Sequence, residues 1–124
     1  MKMQESAENY LEMILMLKER TGQVRSIDIV NEMGYTKPSV SVAMKRLREN
    51  GYIKMDNDGY ITLEKSGFEI ATQMYERHQI LAQFLITLGV GEDTALKDAC
   101  RIEHVISDES YQCLKKHYEQ HNGG

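Results

Sequence analysis

Apolar residues recur every three or four positions through most of the chain, a spacing that predicts amphipathic helices. A first helix is predicted to have Ser6 as its N-cap and to end at Thr21-Gly22. Its inward face consists of Tyr10, Met13, Ile14 and Leu17. This pattern predicts one long helix before Gly22.

Two shorter helices joined by a tight turn are predicted next. The first of them has Ser26 as its N-cap and ends at Gly34, because glycine readily adopts the left-handed backbone that follows a last helical turn. The second has Thr36 as its N-cap and Pro38 in its first turn, where the missing N–H costs nothing. Two helices with such a turn between them, the second basic on its exposed side, indicate a helix-turn-helix that binds DNA.

Two short β-type runs, residues 52–55 and 60–63, follow the third helix. The four residues between them, Asp56 to Gly59, are a turn signal with glycine where a positive φ is expected. The runs therefore predict a β-hairpin. It would be the wing of a winged helix-turn-helix domain over residues 1–65.

Helical spacing returns after the hairpin, in predicted helices over residues 66–88, 92–106 and 107–121. The fold is thus expected to be mainly α, with the N-terminal winged helix-turn-helix followed by an all-helical domain over residues 66–124. The first of these helices carries more apolar residues than one helix pair would bury: Ile80, Leu81, Phe84, Leu85 and Leu88. This surplus predicts a homodimer.

Charge is unevenly distributed, although the chain of 124 residues carries a net charge of only −4. Residues 36–54 contain five basic residues and one acidic residue, whereas the chain from Asp56 onward contains six basic and twelve acidic residues. Only the first region is therefore expected to meet DNA phosphates.

The sequence has no apolar run long enough to span a bilayer and no leader peptide, so a cytoplasmic protein is expected. In the reducing cytoplasm, Cys100 and Cys113 are expected to stay thiols.

The segment Cys100-Arg101-Ile102-Glu103-His104 is a candidate metal site. On a helix, the thiolate of Cys100, the carboxylate of Glu103 and the imidazole of His104 occupy positions i, i+3 and i+4 and point the same way. This mixture of donors suits Fe(II), Co(II), Ni(II) or Zn(II) better than Ca(II) or Mg(II). The alternative is a solvated helix face on which the cysteine is only a small apolar residue.

Longer stretches resemble one family of regulators. They are Glu8 to Glu12, Thr36 to Ser41, Arg77-His78 with Leu81 and Phe84-Leu85, and Asp98 to Glu109. In these motifs the chain is similar to the metal-dependent repressors that include the diphtheria toxin repressor and the manganese transport regulator. The resemblance implies a transcriptional repressor, not an enzyme. Such a protein would bind a palindromic operator as a homodimer and control metal-uptake genes with a metal ion as corepressor.

The resemblance also assigns roles to individual residues. The implied metal ligands are Cys100, Glu103 and His104 at the core of the regulatory site, with Asn9, Glu12 and His78 as further ligands. Asn9 stands where the family uses Asp or Met, so a hydrogen-bonding role outside the ligand set is its alternative. The implied DNA contacts are made to phosphates by Lys37, Ser39, Ser41, Lys45, Arg46 and Lys54, and to bases by Thr36, Pro38 and Val42.

The metal is expected to be Fe(II), with Mn(II) as the alternative. Cys100 supports Fe(II), because Mn(II) prefers carboxylate and carbonyl oxygens to thiolates. Iron-responsive members of the family often carry an extra SH3-like domain, and its absence from this sequence favours Mn(II).

Two other classes of protein stay open. One is a winged-helix regulator whose second domain senses a small molecule or only dimerises, and the other is a metalloenzyme that uses the same ligands.

Overall fold

The computed structural model of the chain describes the backbone of residues 2–121 and the side chains of residues 5–121. Its elements are, in chain order, α1 (Lys2–Thr21), α2 (Ser26–Met33), α3 (Lys37–Glu49), β1 (Ile53–Met55), β2 (Ile61–Leu63), α4 (Lys65–Thr87), α5 (Glu92–Val105) and α6 (Asp108–His121). Over residues 2–121 the predicted order of three helices, a hairpin and three further helices is confirmed. None of the helices described there is long and apolar enough to cross a membrane.

The chain forms two compact units, with the boundary between Gln73 and Met74 inside α4. The first unit contains α1 to α3 and the hairpin, whose strands pair antiparallel with Ile53 opposite Leu63 and Met55 opposite Ile61. The core of this unit is formed by apolar residues from all five of these elements: Leu11, Ile14, Ile29, Val40, Met44, Ile53 and Ile61.

The first turn of α4 packs tightly against the chain just before β1. A Cβ atom at Gly67 would lie 2.2 Å from the carbonyl oxygen of Tyr52, so only glycine fits there. The backbone N–H of Glu64 donates to the same carbonyl oxygen at 2.9 Å. The hydroxyl of Ser66 donates to the carbonyl oxygen of Gly51 at 3.2 Å. These contacts attach the base of the wing to α4.

The predicted start of α3 is confirmed. The backbone N–H of Ser39 donates to the hydroxyl oxygen of Thr36 at 3.2 Å, and Pro38 lies in the first turn. Gly34 ends α2 with a φ of 71°, the left-handed conformation that its position predicted. The turn between α2 and α3 is therefore the tight glycine turn of a helix-turn-helix.

Two predicted N-caps are wrong. Ser6 lies inside α1, which already begins at Lys2, because the residues before Ser6 are good helix formers. Ser26 is the first residue of α2 and not its cap. The cap position belongs to Arg25, whose backbone N–H donates to the carboxylate of Asp28 at 2.9 Å. Asp28 therefore stabilises the helix start for which Ser26 was expected.

The second unit consists of the rest of α4 with α5 and α6. Its core contains Leu81, Ala82 and Ala99, with Ile102, Ile106 and Leu114 packed against them. Leu81 is 2% exposed, so part of the apolar surplus predicted for a dimer is used within the unit itself. Leu88, at 66% exposed, remains available for a partner.

Candidate metal centre and DNA-binding surface

His78 on α4 meets Glu103 on α5 inside the second unit. His78 Nδ1 lies 2.9 Å from Glu103 Oε1, which is a hydrogen-bond distance. The side chain of Glu103 is 0% exposed, and that of His78 is 19% exposed. A buried carboxylate costs much free energy unless a positive charge or hydrogen-bond donors accompany it. A cation bound at this pair would therefore stabilise the buried negative charge of Glu103.

His104 brings a second imidazole to the same carboxylate. Its Nε2 lies 3.7 Å from Glu103 Oε2, and its side chain is 4% exposed. Each carboxylate oxygen of Glu103 thus has one imidazole nearby, His78 at Oε1 and His104 at Oε2. The second unit brings together three of the predicted ligands, although His78 and Glu103 are 25 residues apart in the sequence.

Arg77, the neighbour of His78, holds the end of α5. Its Nη1 donates to the carbonyl oxygens of Glu103 at 3.2 Å and of Ile106 at 3.0 Å. Its Nη2 lies 3.5 Å from a carboxylate oxygen of Asp108. The last carbonyls of a helix have no partner within the helix, so these bonds satisfy groups that would otherwise be orphaned. Arg77 therefore fixes the backbone that carries Glu103 and His104.

Arg77 was not among the predicted site residues, although a signal for it was present. It follows Met74 by three positions and precedes Leu81 by four, so it lies on an apolar stripe of α4. All three side chains are buried, Arg77 at 7% exposed. An arginine on such a stripe is almost never fully buried without partners, and this anomaly indicates a structural role.

The three other predicted ligands are on α5 and α1. Cys100 is one helical turn before Glu103 on α5, and it is exposed. Asn9 and Glu12 lie on α1 in the first unit, where Asn9 is half-buried and Glu12 is only 5% exposed. Such burial is unusual for a glutamate. Cys100, Asn9 and Glu12 stay predicted ligands.

A divalent transition metal fits the side chains around Glu103. They offer one carboxylate and two imidazoles, which are ordinary donors for Mn(II), Fe(II), Co(II) and Zn(II). Ca(II) and Mg(II), which take oxygen ligands, fit less well. The complete burial of Glu103 supports the fit, because a positive ion would compensate its charge.

The nine predicted DNA contacts share one property, which is exposure to solvent. The exposed residues are Thr36, Lys37, Pro38, Ser39, Ser41, Val42, Lys45, Arg46 and Lys54. The opposite side of α3 is buried through Val40, Met44 and Leu47. Val42 is 53% exposed, which leaves an apolar patch on a basic helix face. This surface of α3 can therefore meet a partner without unfolding any of the core.

The wing adds one further basic residue to this surface. Lys54 Nζ lies 3.7 Å from a carboxylate oxygen of Glu64, and their side chains are 72% and 38% exposed. Exposed pairs at this distance contribute little free energy. Lys54 can therefore leave Glu64 and bind a DNA phosphate with little loss of free energy.

Family models match almost the whole chain. Residues 2–61 match the N-terminal DNA-binding domain of the iron-dependent repressors, and residues 64–122 match their metal-binding and dimerisation domain. The chain belongs to the iron-dependent repressor family. Members of this family are metal-dependent transcriptional regulators and not enzymes. The resemblance read from the sequence motifs is confirmed, and the matching domains are the family's DNA-binding domain and its metal-binding and dimerisation domain.

Curated relatives of this chain are regulators as well. The transcriptional regulator MntR of Escherichia coli O157:H7 is 32% identical over 117 residues, which are 94% of this chain and 76% of the relative. An uncharacterized HTH-type transcriptional regulator of Methanocaldococcus jannaschii is 33% identical over 115 residues, which are 91% of this chain and 92% of the relative.

Solved structures of similar repressors have the same fold. The manganese regulator SloR has a TM-score of 0.80 and 28% identity, and a manganese-dependent transcriptional repressor in complex with manganese has 0.83 and 27%. Each comparison covers 90% of this chain and 52% of the other, so the chain spans about half the length of these structures. The predicted fold, a winged helix-turn-helix followed by a helical domain, is confirmed.

Proposed function

We propose that this chain represses transcription when a divalent transition metal is held by Glu103 and the histidines around it, so that the metal is a corepressor. The observation that carries the proposal is the 2.9 Å approach of His78 Nδ1 to the fully buried carboxylate of Glu103. A divalent ion would compensate the negative charge of that buried carboxylate. Glu103 belongs to the part of the chain that matches the metal-binding and dimerisation domain of the family.

The side chains have different roles in this proposal. Glu103 supplies the negative charge, and His78 and His104 supply neutral imidazole nitrogens from α4 and α5. A bound ion would supply positive charge that neutralises Glu103 and would tie the two helices together. Arg77 keeps the end of α5 in place, so the donors lie near one another before binding. The proposed ligand set also includes Cys100, Asn9 and Glu12, because they lie in the sequence motifs that resemble the family.

The exposed face of α3 is the proposed DNA-reading surface. Lys37, Ser39, Ser41, Lys45, Arg46 and Lys54 would bind phosphates, and Thr36, Pro38 and Val42 would meet base edges. Val42 can offer only an apolar contact, such as one to a thymine methyl group. We therefore expect modest sequence discrimination and a strong dependence on salt. One winged helix reads one half-site, so a two-fold dimer would read a palindromic operator.

Metal-uptake genes are the proposed targets. A repressor that binds DNA when its metal is abundant would shut down import at the point where more of the ion is unnecessary. Metal and operator would then bind with positive and reciprocal coupling. The site of action would be the cytoplasm, where such an operator is accessible.

We propose Fe(II) as the physiological ion and keep Mn(II) as the second candidate. The thiolate of Cys100, one turn from Glu103, would add a soft donor that favours Fe(II). The nitrogen and oxygen donors around Glu103 suit Mn(II) equally well, and relatives are named for manganese. The two candidates therefore differ in whether Cys100 binds the ion.

An anaerobic titration tests the proposal. Reduced, metal-stripped protein is titrated with Fe(II) and, separately, with Mn(II), and the affinity is measured for the wild type, Cys100→Ala and Cys113→Ala. Cys113 is the matched control, because it is also an exposed cysteine but lies on α6. DNA binding is followed with duplexes selected from a random pool in the presence of each metal.

Each result has a defined meaning. Tighter Fe(II) binding that Cys100→Ala weakens and Cys113→Ala does not would support the iron-responsive repressor. Equal binding of Mn(II), with no effect of Cys100→Ala, would replace it with a manganese-responsive repressor. DNA binding that needs neither ion would leave a winged-helix regulator without metal control and would refute the corepressor proposal.

A further inference from the structure

We propose that His117 and His121 of α6 form a second metal-binding site, for divalent ions that prefer imidazole nitrogen, such as Zn(II) and Ni(II). The centroids of the two rings lie 4.1 Å apart, with an angle of 40° between the ring planes. The residues are one helical turn apart, so they lie on the same face of α6. This site is separate from Glu103 and does not depend on the proposed function.

The spacing of the rings suits chelation of one ion. Bonds of about 2 Å from a metal to each imidazole require the two nitrogens to come within about 3 to 4 Å of each other. Rings whose centroids are 4.1 Å apart reach this arrangement by side-chain rotation alone. Both histidines are exposed, so water can complete the coordination shell. Binding therefore requires no movement of the backbone.

One contact orients this pair. The ring of Phe84 lies edge-on to the ring of His117, with centroids 6.2 Å apart. A ring held by such a contact loses less rotational entropy when it binds a metal ion.

Cys113 is the nearest alternative ligand on this face, because it precedes His117 by one turn and is also exposed. Eight residues separate it from His121, which is about 12 Å along the helix axis. That distance is too long for Cys113 and His121 to bind the same ion. Cys113 therefore serves as the control that separates a cysteine-histidine site from the histidine pair.

The chemistry of the pair predicts which ions it binds. Affinity for imidazole nitrogen rises from Mn(II) and Fe(II) toward Ni(II) and Cu(II), with Zn(II) also favoured. A pair of imidazole nitrogens is a weak site for Mn(II). A titration with Zn(II) should therefore count one equivalent per chain more than a titration with Mn(II).

The test is calorimetric titration of the reduced, metal-stripped full chain with Zn(II) and with Mn(II). His117→Gln and His121→Gln are each expected to lose one equivalent of Zn(II) and to keep the Mn(II) stoichiometry of the wild type. Cys113→Ser is expected to keep both. Proton NMR of the two imidazole rings should show Zn(II)-dependent shifts in the wild type, and circular dichroism should show unchanged helix content in all variants.

Specific results would overturn the proposal. If His117→Gln and His121→Gln bind as many equivalents of Zn(II) as the wild type, the pair is not a site. Loss of the equivalent in Cys113→Ser would assign the ion to Cys113 and His117 and refute the histidine pair. His78→Gln separates this site from the regulatory one, because it should weaken Mn(II) binding and leave the extra Zn(II) equivalent in place.

Discussion

The guanidinium of Arg77 donates a hydrogen bond to the backbone carbonyl oxygen of Glu103 at 3.2 Å, while the next residue, His78, contacts the carboxylate of the same glutamate at 2.9 Å. Neighbouring residues of α4 therefore hold the backbone and the side chain of one residue of α5. Glu103 is fixed at both ends, which limits the positions that its carboxylate can take.

The substitution Arg77→Lys should weaken metal binding more than it disturbs the fold. Lysine is a point donor and cannot replace the guanidinium, which bonds two carbonyl oxygens and approaches Asp108. We expect a loss of metal affinity of about 10-fold, as for partners that orient ligands. The measurement is a metal titration well below the melting temperature, with the visible spectrum of bound Co(II) as a report on geometry.

The matched control for this variant is Arg101→Lys, since Arg101 is an exposed arginine on α5. It should leave both the affinity and the Co(II) spectrum unchanged. A lower melting temperature for Arg77→Lys with unchanged metal affinity would show that Arg77 supports the fold alone.

Glu103→Gln should abolish the stabilisation of the protein by metal. Glutamine keeps the shape and the hydrogen-bonding capacity toward His78 but loses the charge, so the metal-free protein should change by only about 1 kcal/mol. Metal affinity should fall about 100-fold or more, because the residue is a proposed ligand. The melting temperature is measured against Mn(II) concentration, which should raise it for the wild type and not for the variant.

Glu109→Gln is the control here, because Glu109 is an exposed glutamate at the start of α6. A rise in melting temperature for Glu103→Gln equal to that of the wild type would place the ion elsewhere in the chain.

Tyr111 should make the protein sensitive to alkaline pH. Its side chain is 1% exposed, and this burial, with a smaller contribution from Glu76, raises the pKa of its phenol to about 12. In the unfolded chain the pKa is about 10, so its contribution to stability is complete below pH 10 and is lost as the pH rises toward 12. A shift of this size corresponds to about 2 to 3 kcal/mol.

Denaturant unfolding of the wild type and Tyr111→Phe across pH 9 to 12 measures this contribution. The free energy of unfolding should fall less steeply for the variant, and its tyrosinate absorbance should lack one group that titrates at about pH 12. Parallel pH dependences for the two proteins would contradict the assignment. Near pH 7 the variant should be about as stable as the wild type, because among residues 5–121 no group bonds the Tyr111 hydroxyl.

Gly67→Ala should destabilise the first unit. The added Cβ atom would lie 2.2 Å from the carbonyl oxygen of Tyr52, so the base of the wing must shift. Overpacking of this kind costs about 1 to 3 kcal/mol. Gly91→Ala is the control, because nothing lies within 4 Å of a Cβ atom there and its φ is −61°. Equal unfolding free energies for the two variants would refute the close contact.

Lys45→Ala should weaken DNA binding at every sequence to a similar extent. Lys45 is exposed on α3 and is proposed to bind a phosphate, so its loss should reduce the salt slope of the binding constant by about 1. Lys97→Ala is the control, since Lys97 is exposed on α5 outside the proposed surface. The same salt slope for Lys45→Ala and the wild type, at saturating metal, would remove Lys45 from the DNA contacts.

The order of the elements could be predicted because periodicity and turn signals are local. The end of α2 is set by Gly34, and the start of α3 is set by Thr36 and Pro38. These residues act through the local backbone conformation and need no tertiary contact. The prediction failed at Ser6 and Ser26, where other residues competed for the helix start. Strong helix formers precede Ser6, and the carboxylate of Asp28 bonds the backbone before Ser26.

The candidate metal site could be predicted only in part. Glu103 and His104 follow Cys100 by three and four positions, and this helical spacing alone makes them candidates. The approach of His78 depends on the packing of α4 against α5, which no local pattern specifies, so only the family resemblance pointed to it. Arg77 was missed because charged residues on helices are usually solvated, and its bonds to backbone carbonyls have no sequence motif.

The positions of Arg77 and His78 have a consequence for how such a site can change through evolution. Successive side chains on a helix project about 100° apart, so one residue reaches the end of α5 while the next reaches its carboxylate. The loop between α4 and α5 can lengthen or shorten without disturbing this division of tasks, provided that the helices still pack. An insertion within Arg77-His78 or Glu103-His104, in contrast, would separate the two side chains and disrupt the arrangement. These pairs therefore form a signature of two dipeptides, separated by a variable number of residues, by which sites of this kind can be sought in other sequences.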